Sequence, residues 1–177
     1  MCGIAGFIGK RSIDINTINS SLESMKNRGP DHQDWCSFQY NEINVYLLHS
    51  RLSIIDLEKR SNQPFSFNDC TLVFNGEIYN YLEVRESLKK IGHTFTTDSD
   101  TEVLLKAYIE YGENCVQHFN GMWAFAIWDD KKKKLFLSRD RFAEKPLYYY
   151  QVVDGVYFGS EIKVIQSLIP KKLEINY

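Results

Sequence analysis

The stretch from Met122 to Trp128 constrains the fold more than any other part of this chain, because every residue in it is apolar. A half-buried strand alternates apolar and polar residues, whereas a strand that is covered on both faces is apolar throughout. The stretch therefore predicts a strand inside a layered structure. Residues 129–133 form a turn that leads into a second predicted strand, residues 134–138, so the two strands are expected to be antiparallel.

The rest of the chain mixes further short strands with groups of helices. Strands are predicted at residues 3–8, 45–49, 71–74, 93–97, 147–153 and 156–158, the last two joined by the hairpin signal Asp154-Gly155. Helical spacing predicts helices near residues 15–28, 81–91, 100–111 and 161–169, with Asp14, the capping box Ser99-x-x-Glu102 and Ser160 as their caps. This pattern indicates an α+β fold with antiparallel sheets.

Length and composition are those of one globular domain. The chain has 177 residues, of which 44% are hydrophobic, and a formal net charge of -2, so neither nucleic acid nor an anionic membrane is indicated as a partner. The sequence has no apolar stretch long enough to span a bilayer and no signal-peptide pattern. Neither a zinc pattern nor a disulfide framework is formed by the cysteines, which are Cys2, Cys36, Cys70 and Cys115. We therefore expect a cytoplasmic protein with reduced thiols.

Cys2 directly follows the initiator methionine. Removal of Met1 would leave Cys2 with a thiol and a free α-amine on the same carbon atom. Since an α-amine titrates near about 7.7–8.0, it can accept the thiol proton close to neutral pH and so activate the nucleophile. Cys2 is therefore a candidate nucleophile, and a buried structural cysteine is the alternative interpretation.

Other polar residues could hold the substrate of such a nucleophile. Asn75-Gly76, interpreted as a turn after a strand, pairs a side-chain amide with a glycine N–H and could form an oxyanion hole; an ordinary Asn-Gly turn is the alternative. Arg51 could bind a carboxylate or simply lie on the surface. Asp100 and Glu77 could bind an ammonium group, although Asp100 could also complement a helix dipole.

A series of motifs occurs in a recognisable order. The motifs are Cys2-Gly3-Ile4, Arg28-Gly29-Pro30-Asp31, residues 49–56, residues 74–80, residues 98–102, residues 121–126, Arg139-Asp140-Arg141-Phe142 and residues 145–149. Together they closely resemble the glutaminase domain of glutamine-hydrolysing asparagine synthetases, a class II glutamine amidotransferase of the N-terminal-nucleophile hydrolase type. The resemblance implies a four-layer α/β/β/α sandwich of two antiparallel sheets. It also implies an amidotransferase domain at residues 2–165 and, at residues 166–177, the start of a linker toward an absent synthetase domain.

The resemblance implies a role for each candidate residue. Cys2, as the mature N-terminus, would form a γ-glutamyl thioester, with its own α-amine as general base. Asn75 and the N–H of Gly76 would form the oxyanion hole. The implied glutamine-binding residues are Arg51 for the α-carboxylate, Asp100 and Glu77 for the α-amino group, and the backbone of Leu52, Ser53, Ile54 and Ile55.

The resemblance also implies partners. Glutamine hydrolysis would supply ammonia to an ATP-dependent synthetase domain, either covalently linked or associated. Neither a Ser-Gly-Gly-x-Asp-Ser loop nor a Walker Gly-Lys-Ser/Thr sequence occurs in the chain, so ATP and Mg²⁺ are expected only in that domain, and no metal is expected here. L-glutamine is the expected substrate, and a homodimer is left open. One departure is Ala143, where family members usually have glycine; alanine costs stability if the position needs a positive φ.

Several alternatives remain at this stage. A non-catalytic glutamine-sensing module would keep the fold, although it has no need of a nucleophile. An N-terminal-cysteine hydrolase could act on other amides, but Arg51 and Asp100 suit a free amino acid. The ammonia could reach a sugar-acid acceptor instead of aspartate. A metal site has no supporting ligand spacing among His32, His49, His93 and His118.

Overall fold

The computed structural model describes residues 1–170. In chain order its elements are β1 (Gly3–Gly9), α1 (Ile15–Met25), β2 (His32–Tyr40), β3 (Ile43–Arg51), β4 (Phe65–Phe67), β5 (Cys70–Ile78), α2 (Tyr81–Lys90), α3 (Asp100–Tyr111), β6 (Gly121–Asp129), β7 (Lys134–Arg139), β8 (Tyr148–Val152), β9 (Gly155–Gly159) and α4 (Ile162–Leu168). Short 3-10 helices cover Lys59–Ser61 and Gly112–His118.

The strands form two antiparallel sheets that lie face to face. One sheet has the order β2-β3-β1-β9-β8, and the other has the order β4-β5-β6-β7. Helices α1 and α4 pack on the outer face of the five-stranded sheet, and α3 with α2 packs on the outer face of the four-stranded sheet. A third apolar cluster fills the space between the sheets. The α+β class and the four-layer α/β/β/α sandwich are therefore confirmed.

The strand β6 lies in the middle of this sandwich, as its composition predicts. Ala124, Ala126 and Trp128 belong to the cluster between the two sheets. Phe125 and Ile127 face the other way and pack in the cluster under α3. Both faces of the strand are therefore covered by apolar side chains, which is the physical reason for its unbroken apolar sequence.

One of the predicted helix caps is confirmed, and two are wrong in detail. The Asp14 carboxylate accepts the N–H groups of Asn16 and Thr17 at the start of α1. Ser99 caps α3, but the Glu102 carboxylate binds the N–H groups of Thr96 and Thr97 instead of closing a capping box. Ser160 does not cap α4; its hydroxyl accepts the N–H of Ile4 and so ties the start of α4 to β1.

Three further predictions about the strands need correction. Residues 93–97 form no strand, because the backbone N–H groups of Thr96 and Thr97 are bound by a side chain rather than by a neighbouring strand. The strands β2 and β4 were not predicted; β2 is an edge strand whose outer residues are exposed, and its sequence is correspondingly polar. Asn75-Gly76 is not a turn, since β5 continues through it to Ile78 and pairs with β6.

The last helix and Ala143 bear on two further predictions. Residues 162–168 form α4, which packs against α1, so the first residues of the predicted linker are helical; residues 171–177 of that linker lie outside the described residues. Ala143 has φ 58°, which confirms that its position requires a positive φ. Within residues 1–170, the longest helices are too short or too polar to cross a membrane.

Candidate active site

Cys2 lies at the beginning of β1, where the five-stranded sheet meets the loop that follows β3. Its Sγ accepts the backbone N–H of Leu52 at 3.4 Å and lies 3.6 Å from the Leu52 carbonyl oxygen. The register Gly3–Ser50 between β1 and β3 produces this proximity, since it places the two strand ends side by side. The cleft beside the thiol, about 620 Å³ with open solvent included, is lined by residues from both sheets.

The groups around the Cys2 thiol shift its pKa in opposite directions. Burial raises its pKa above the ordinary value, whereas the Leu52 N–H, the ammonium group of the chain's N-terminus and Arg51 lower it, and Asp100 raises it. Met1 is still bonded to Cys2 in this structure and lines the same cleft. The Cys2 nitrogen is therefore an amide here, and the thiol is protonated at neutral pH.

Arg28 holds the backbone of Cys2 in place. Its Nε donates to the Cys2 carbonyl oxygen at 2.9 Å, and one of its terminal nitrogens lies 3.1 Å from the Glu161 carboxylate. The motif that contains Arg28 thus contacts the candidate nucleophile, although the residue comes from the segment after α1. The sequence suggested that Arg28-Gly29-Pro30-Asp31 is either a mobile lid or the end of a helix, and it did not predict a contact between Arg28 and Cys2.

Asn75 and Gly76 lie in β5, on the four-stranded sheet, and both line the cleft that contains Cys2. The Asn75 side chain is buried, and its Nδ2 has no hydrogen-bond partner within residues 1–170. Gly76 allows a close approach of β6, because a Cβ at this position would lie 2.2 Å from the Met122 carbonyl oxygen. A residue that lines the cleft thus holds a buried amide donor without a partner in the described residues, as an oxyanion hole requires.

Arg51 is only 5% exposed, and the loop after β3 surrounds its guanidinium. The guanidinium donates to the carbonyl oxygens of Ile55, Asp56 and Glu58 and to Oδ1 of Asn62 at 2.6 Å. No carboxylate lies within 4 Å of it in the described part of the chain. The loop therefore holds a buried cation in place at the cleft without neutralising its charge.

Asp100 and Glu77 line the other side of the cleft. Asp100 is 5% exposed, and its Oδ2 accepts the N–H of Ile78 at 3.1 Å. Burial raises the pKa of Asp100 to about 6, the Ile78 N–H opposes this rise, and the neighbouring Glu77 carboxylate adds to it. A cationic group placed between these carboxylates would reverse the shift.

Only part of the backbone segment that the resemblance assigned to glutamine binding, residues 52–55, lines the cleft. Leu52, Ile54 and Ile55 line the cleft. Ser53 lies outside the lining, and its N–H is already bound at 2.7 Å by the Asp31 carboxylate. The segment thus contacts both the cleft and the motif after α1.

Gln63 and Lys145 are among the cleft residues to which the sequence reasoning gave no role in the site. Gln63 is buried; its Oε1 accepts the N–H of Phe74 at 2.6 Å, and its Nε2 donates to Thr101. The pairing of β5 with β4 reaches only to Leu72. Gln63 therefore supplies a hydrogen-bond partner for the next part of β5, directly before Asn75. Lys145, from the segment after β7, lines the cleft close to Met1. Lys145 belongs to a motif that carried the resemblance, whereas nothing distinguished Gln63 from the other polar residues of its loop.

The remaining histidines and cysteines lie elsewhere. His49 is fully buried between the sheets, and one ring nitrogen bonds the Phe74 carbonyl oxygen at 3.1 Å; burial lowers its pKa to about 3, so the ring is neutral. His93 contacts Glu110, His118 stacks on Tyr111, and His32 lies on the edge strand. Across residues 1–170, no three potential metal-ligating side chains come together.

Comparison with known proteins agrees with this geometry. A family model described as a glutamine amidotransferase domain matches residues 1–177. The putative asparagine synthetase 2 (glutamine-hydrolyzing) of Methanocaldococcus jannaschii is 41% identical over 99% of this chain and 37% of its own length. Asparagine synthetase 3 (glutamine-hydrolyzing) of Bacillus subtilis is 40% identical over 93% of this chain and 27% of its own length. The chain thus spans 37% or less of the length of these two relatives.

A solved structure supports the fold. Glutamine phosphoribosylpyrophosphate amidotransferase from B. subtilis, complexed with ADP and GMP, superposes with a TM-score of 0.77. The superposition covers 94% of this chain and 43% of the other, at 19% identity, so it bears on the architecture alone. The sequence match over the whole chain, together with the shared fold, identifies the chain as a member of the glutamine amidotransferase domain family.

Proposed function

We propose that this chain hydrolyses glutamine to glutamate and ammonia, with Cys2 as the nucleophile after Met1 has been removed. The observation that carries the proposal is the Asn75 amide, which is buried beside the cleft and has no partner for its Nδ2 in the described residues. An unmade hydrogen bond of this kind costs about 1–3 kcal/mol. An oxyanion formed by attack of the Cys2 thiol would accept this hydrogen bond.

The charges around the cleft fit the two ends of a free amino acid. Arg51 is a buried cation at one side, with no carboxylate within 4 Å in the described residues, and so suits the α-carboxylate of glutamine. Asp100 and Glu77 suit the α-ammonium group, because a cation between them would offset their mutual repulsion. A ligand that carries both charges matches the cleft better than an acylated amino acid, whose nitrogen is neutral.

The proposed chemistry has two steps. In the first, the α-amine of Cys2 takes the thiol proton, sulfur attacks the carboxamide carbon, and Asn75 with the N–H of Gly76 binds the resulting oxyanion. The tetrahedral intermediate collapses as the C–N bond breaks and the protonated α-amine gives its proton to the leaving nitrogen, which yields ammonia and a thioester. In the second step, the α-amine takes a proton from water as the water oxygen adds to the thioester carbon. The C–S bond then breaks and the amine returns the proton to sulfur, so that glutamate leaves and the thiol is restored.

The proposal extends to the longer protein of which such a domain forms a part. The relatives are named as glutamine-hydrolyzing asparagine synthetases, and this chain covers 37% of the first of them. We therefore propose that the ammonia passes to a linked or associated synthetase domain, with aspartate as the acceptor, and that ATP and Mg²⁺ bind in that domain. A cytoplasmic location and a homodimer belong to the same proposal.

The direct test is hydrolysis by the purified chain. Release of glutamate and ammonia is measured for the wild type, for Cys2→Ser and for the matched control Cys36→Ser, whose sulfur is half-buried on β2. Intact mass spectrometry determines whether Met1 is absent from each protein. We expect the wild type and Cys36→Ser to hydrolyse glutamine and Cys2→Ser to lose the activity.

Two results would contradict the proposal. Equal hydrolysis by Cys2→Ser would exclude Cys2 as the nucleophile. A wild-type chain with a free N-terminal Cys2 that binds glutamine without hydrolysing it would favour the glutamine-sensing module instead.

A further inference from the structure

The segment between β7 and β8 is organised around one buried carboxylate. Asp140 accepts the backbone N–H groups of Trp123, Phe142, Glu144 and Lys145, at distances of 2.9–3.3 Å. A carboxylate that binds several N–H groups fixes the backbone that carries them. The segment is therefore anchored to β6 through Trp123 and holds one defined conformation.

Arg139 holds the same segment from its other side. Its Nε donates to the Lys145 carbonyl oxygen, and its guanidinium donates to the Ala143 carbonyl oxygen, both at 2.8 Å. Lys145 is therefore fixed through its N–H by Asp140 and through its carbonyl by Arg139. The motif Arg139-Asp140 has no role in the chemistry described above, and its evident effect is to present Lys145.

The side chain of Lys145 extends into the cleft that contains Cys2. The residue is 7% exposed, and its Nζ lies 3.3 Å from Sδ of Met1. No carboxylate lies within 4 Å of this ammonium group among residues 1–170. A thioether sulfur is a weak acceptor, so the structure holds a nearly buried cation beside Cys2 with only a weak partner.

We propose that the Lys145 ammonium keeps the α-amine of Cys2 uncharged once Met1 has been removed, so that this amine can act as the base. This inference rests on the proposed function, because Cys2 is the N-terminus only in the processed chain. Met1 is bonded to the Cys2 nitrogen, and Lys145 Nζ contacts Sδ of this same residue at 3.3 Å, so Lys145 and the future N-terminus line one cleft. Two positive charges in one partly buried cleft disfavour each other, so the Lys145 ammonium would lower the pKa of the α-amine.

The other charged groups around Cys2 already have partners. Arg28 is paired with Glu161, and the Arg51 guanidinium is held by the carbonyl oxygens of its loop. Asp100 and Glu77 face the position proposed for the α-ammonium group of glutamine. Among the described cationic side chains that line the cleft or contact Cys2, Lys145 is thus the one that lacks an oxygen partner. Its charge therefore acts on the α-amine with the least compensation.

The test measures how fast Cys2 is alkylated as a function of pH. The wild type, Lys145→Met and Lys145→Arg are treated with saturating 6-diazo-5-oxo-norleucine, a glutamine analogue, and the adduct is quantified by intact mass. Saturation keeps Asp100 ionised through its contact with the analogue, so the acidic limb reports the base. For Lys145→Met we expect this limb to move up by about one pH unit, which makes labelling about tenfold slower below the limb and unchanged above it. Lys145→Arg should follow the wild type.

The outcomes separate this inference from the function on which it rests. A wild type that is labelled at Cys2, with a Lys145→Met profile that superimposes on it or is slower by one factor at every pH, overturns the role of Lys145 and leaves the function intact. If Lys145→Met does not fold, Lys145→Gln makes the same comparison. A wild type with a free N-terminal Cys2 that is never labelled contradicts both the function and the inference.

Discussion

The two walls of the cleft are built differently. The thiol wall (Cys2, Arg51 and Leu52) belongs to the five-stranded sheet and its following loop, and its polar groups are bonded to the chain itself. The amide wall (Asn75, Glu77 and Asp100) belongs to the four-stranded sheet and α3. On the amide wall the Asn75 Nδ2 has no partner within the described residues, and burial raises the pKa of Asp100 to about 6.

This difference shows which wall of the cleft has groups that only a bound ligand would stabilise. Groups on the thiol wall are held in position before any substrate binds, whereas on the amide wall the Asn75 Nδ2 has no hydrogen-bond partner and no cation is paired with Asp100 in the described residues. Preorganised donors that are satisfied only by the reacting substrate are the arrangement that lowers a reaction barrier most effectively. Substitutions in the two walls should therefore have different consequences for stability and for turnover.

The largest expected effect is on turnover, from Asn75→Ala on the amide wall. Removal of one oxyanion donor lowers kcat by about 10²–10³-fold in comparable acyl-transfer sites. The KM for glutamine should change little, and the free energy of unfolding should not fall, because the substitution removes a buried donor that bonds nothing in the described residues. Steady-state kinetics and denaturant unfolding check both parts, with Asn44→Ala at the half-buried start of β3 as the control. A large loss of stability with unchanged kcat would reverse the assignment of the two walls.

The next effect is on stability and binding together, from Arg51→Met on the thiol wall. The substitution leaves the oxygen atoms of Ile55, Asp56, Glu58 and Asn62 without their donor. The loss of these part-buried hydrogen bonds predicts a decrease of about 1–3 kcal/mol in the free energy of unfolding, together with a raised KM for glutamine. The matched control is Arg141→Met, whose side chain is exposed. An unchanged unfolding midpoint for Arg51→Met would show that the loop does not depend on this arginine.

A third prediction concerns the pH dependence of the amide wall. Below about pH 6 the Asp100 carboxyl becomes protonated and loses its attraction for an ammonium group. The KM for glutamine should therefore rise by up to about tenfold for each pH unit below that value. Asp100→Asn should raise KM at neutral pH and remove this dependence, whereas the exposed control Glu42→Gln should keep it. A wild-type KM that is constant between pH 5 and 7 would contradict the assignment.

The same carboxyl predicts a change in stability with pH. Because the pKa of Asp100 is raised in the folded state, its protonated form favours folding. That contribution is fully present below the ordinary value of 3.8 and is lost as the pH rises through about 6. Compared with Asp100→Asn, the wild type should therefore lose free energy of unfolding as the pH rises over this interval. If the free energies of unfolding of the two proteins change with pH in the same way, the pKa of Asp100 is not raised by folding.

The smallest effect is expected outside both walls, at Ala143. This residue has φ 58°, a conformation that glycine adopts without steric cost. Ala143→Gly should increase the free energy of unfolding by about 0.5–1 kcal/mol and leave kcat unchanged. A decrease in stability would mean that the Arg139 and Asp140 contacts, rather than the backbone of Ala143, determine the cost at this position.

Local sequence pattern predicted an element correctly where the residues of that element alone determine its structure. The apolar stretch of β6 and the capping residue Asp14 were predicted correctly for this reason. Residues 93–97 were predicted wrongly because Glu102, from the next helix, binds their N–H groups. The strand β2 was missed because an exposed edge strand needs no apolar alternation.

The candidate site was foreseen mainly through the ordered motifs. They pointed to Cys2, Arg51 and Asp100, and the structure brings these residues to one cleft. Gln63 could not be foreseen, because its contact with Phe74 exists only where β5 continues past its pairing with β4 and this one edge of β5 has no neighbouring strand. The position of Lys145 likewise depends on contacts made across the segment by Arg139 and Asp140.

The most direct test of the account is a peptide map of the chain after treatment with 6-diazo-5-oxo-norleucine. The account predicts that Met1 is absent and that the protein carries a single adduct, located on the N-terminal Cys2. An adduct on Cys36, Cys70 or Cys115, or a free N-terminal Cys2 that stays unlabelled at saturating analogue, would contradict the claim that the two walls enclose a glutamine-hydrolysing nucleophile.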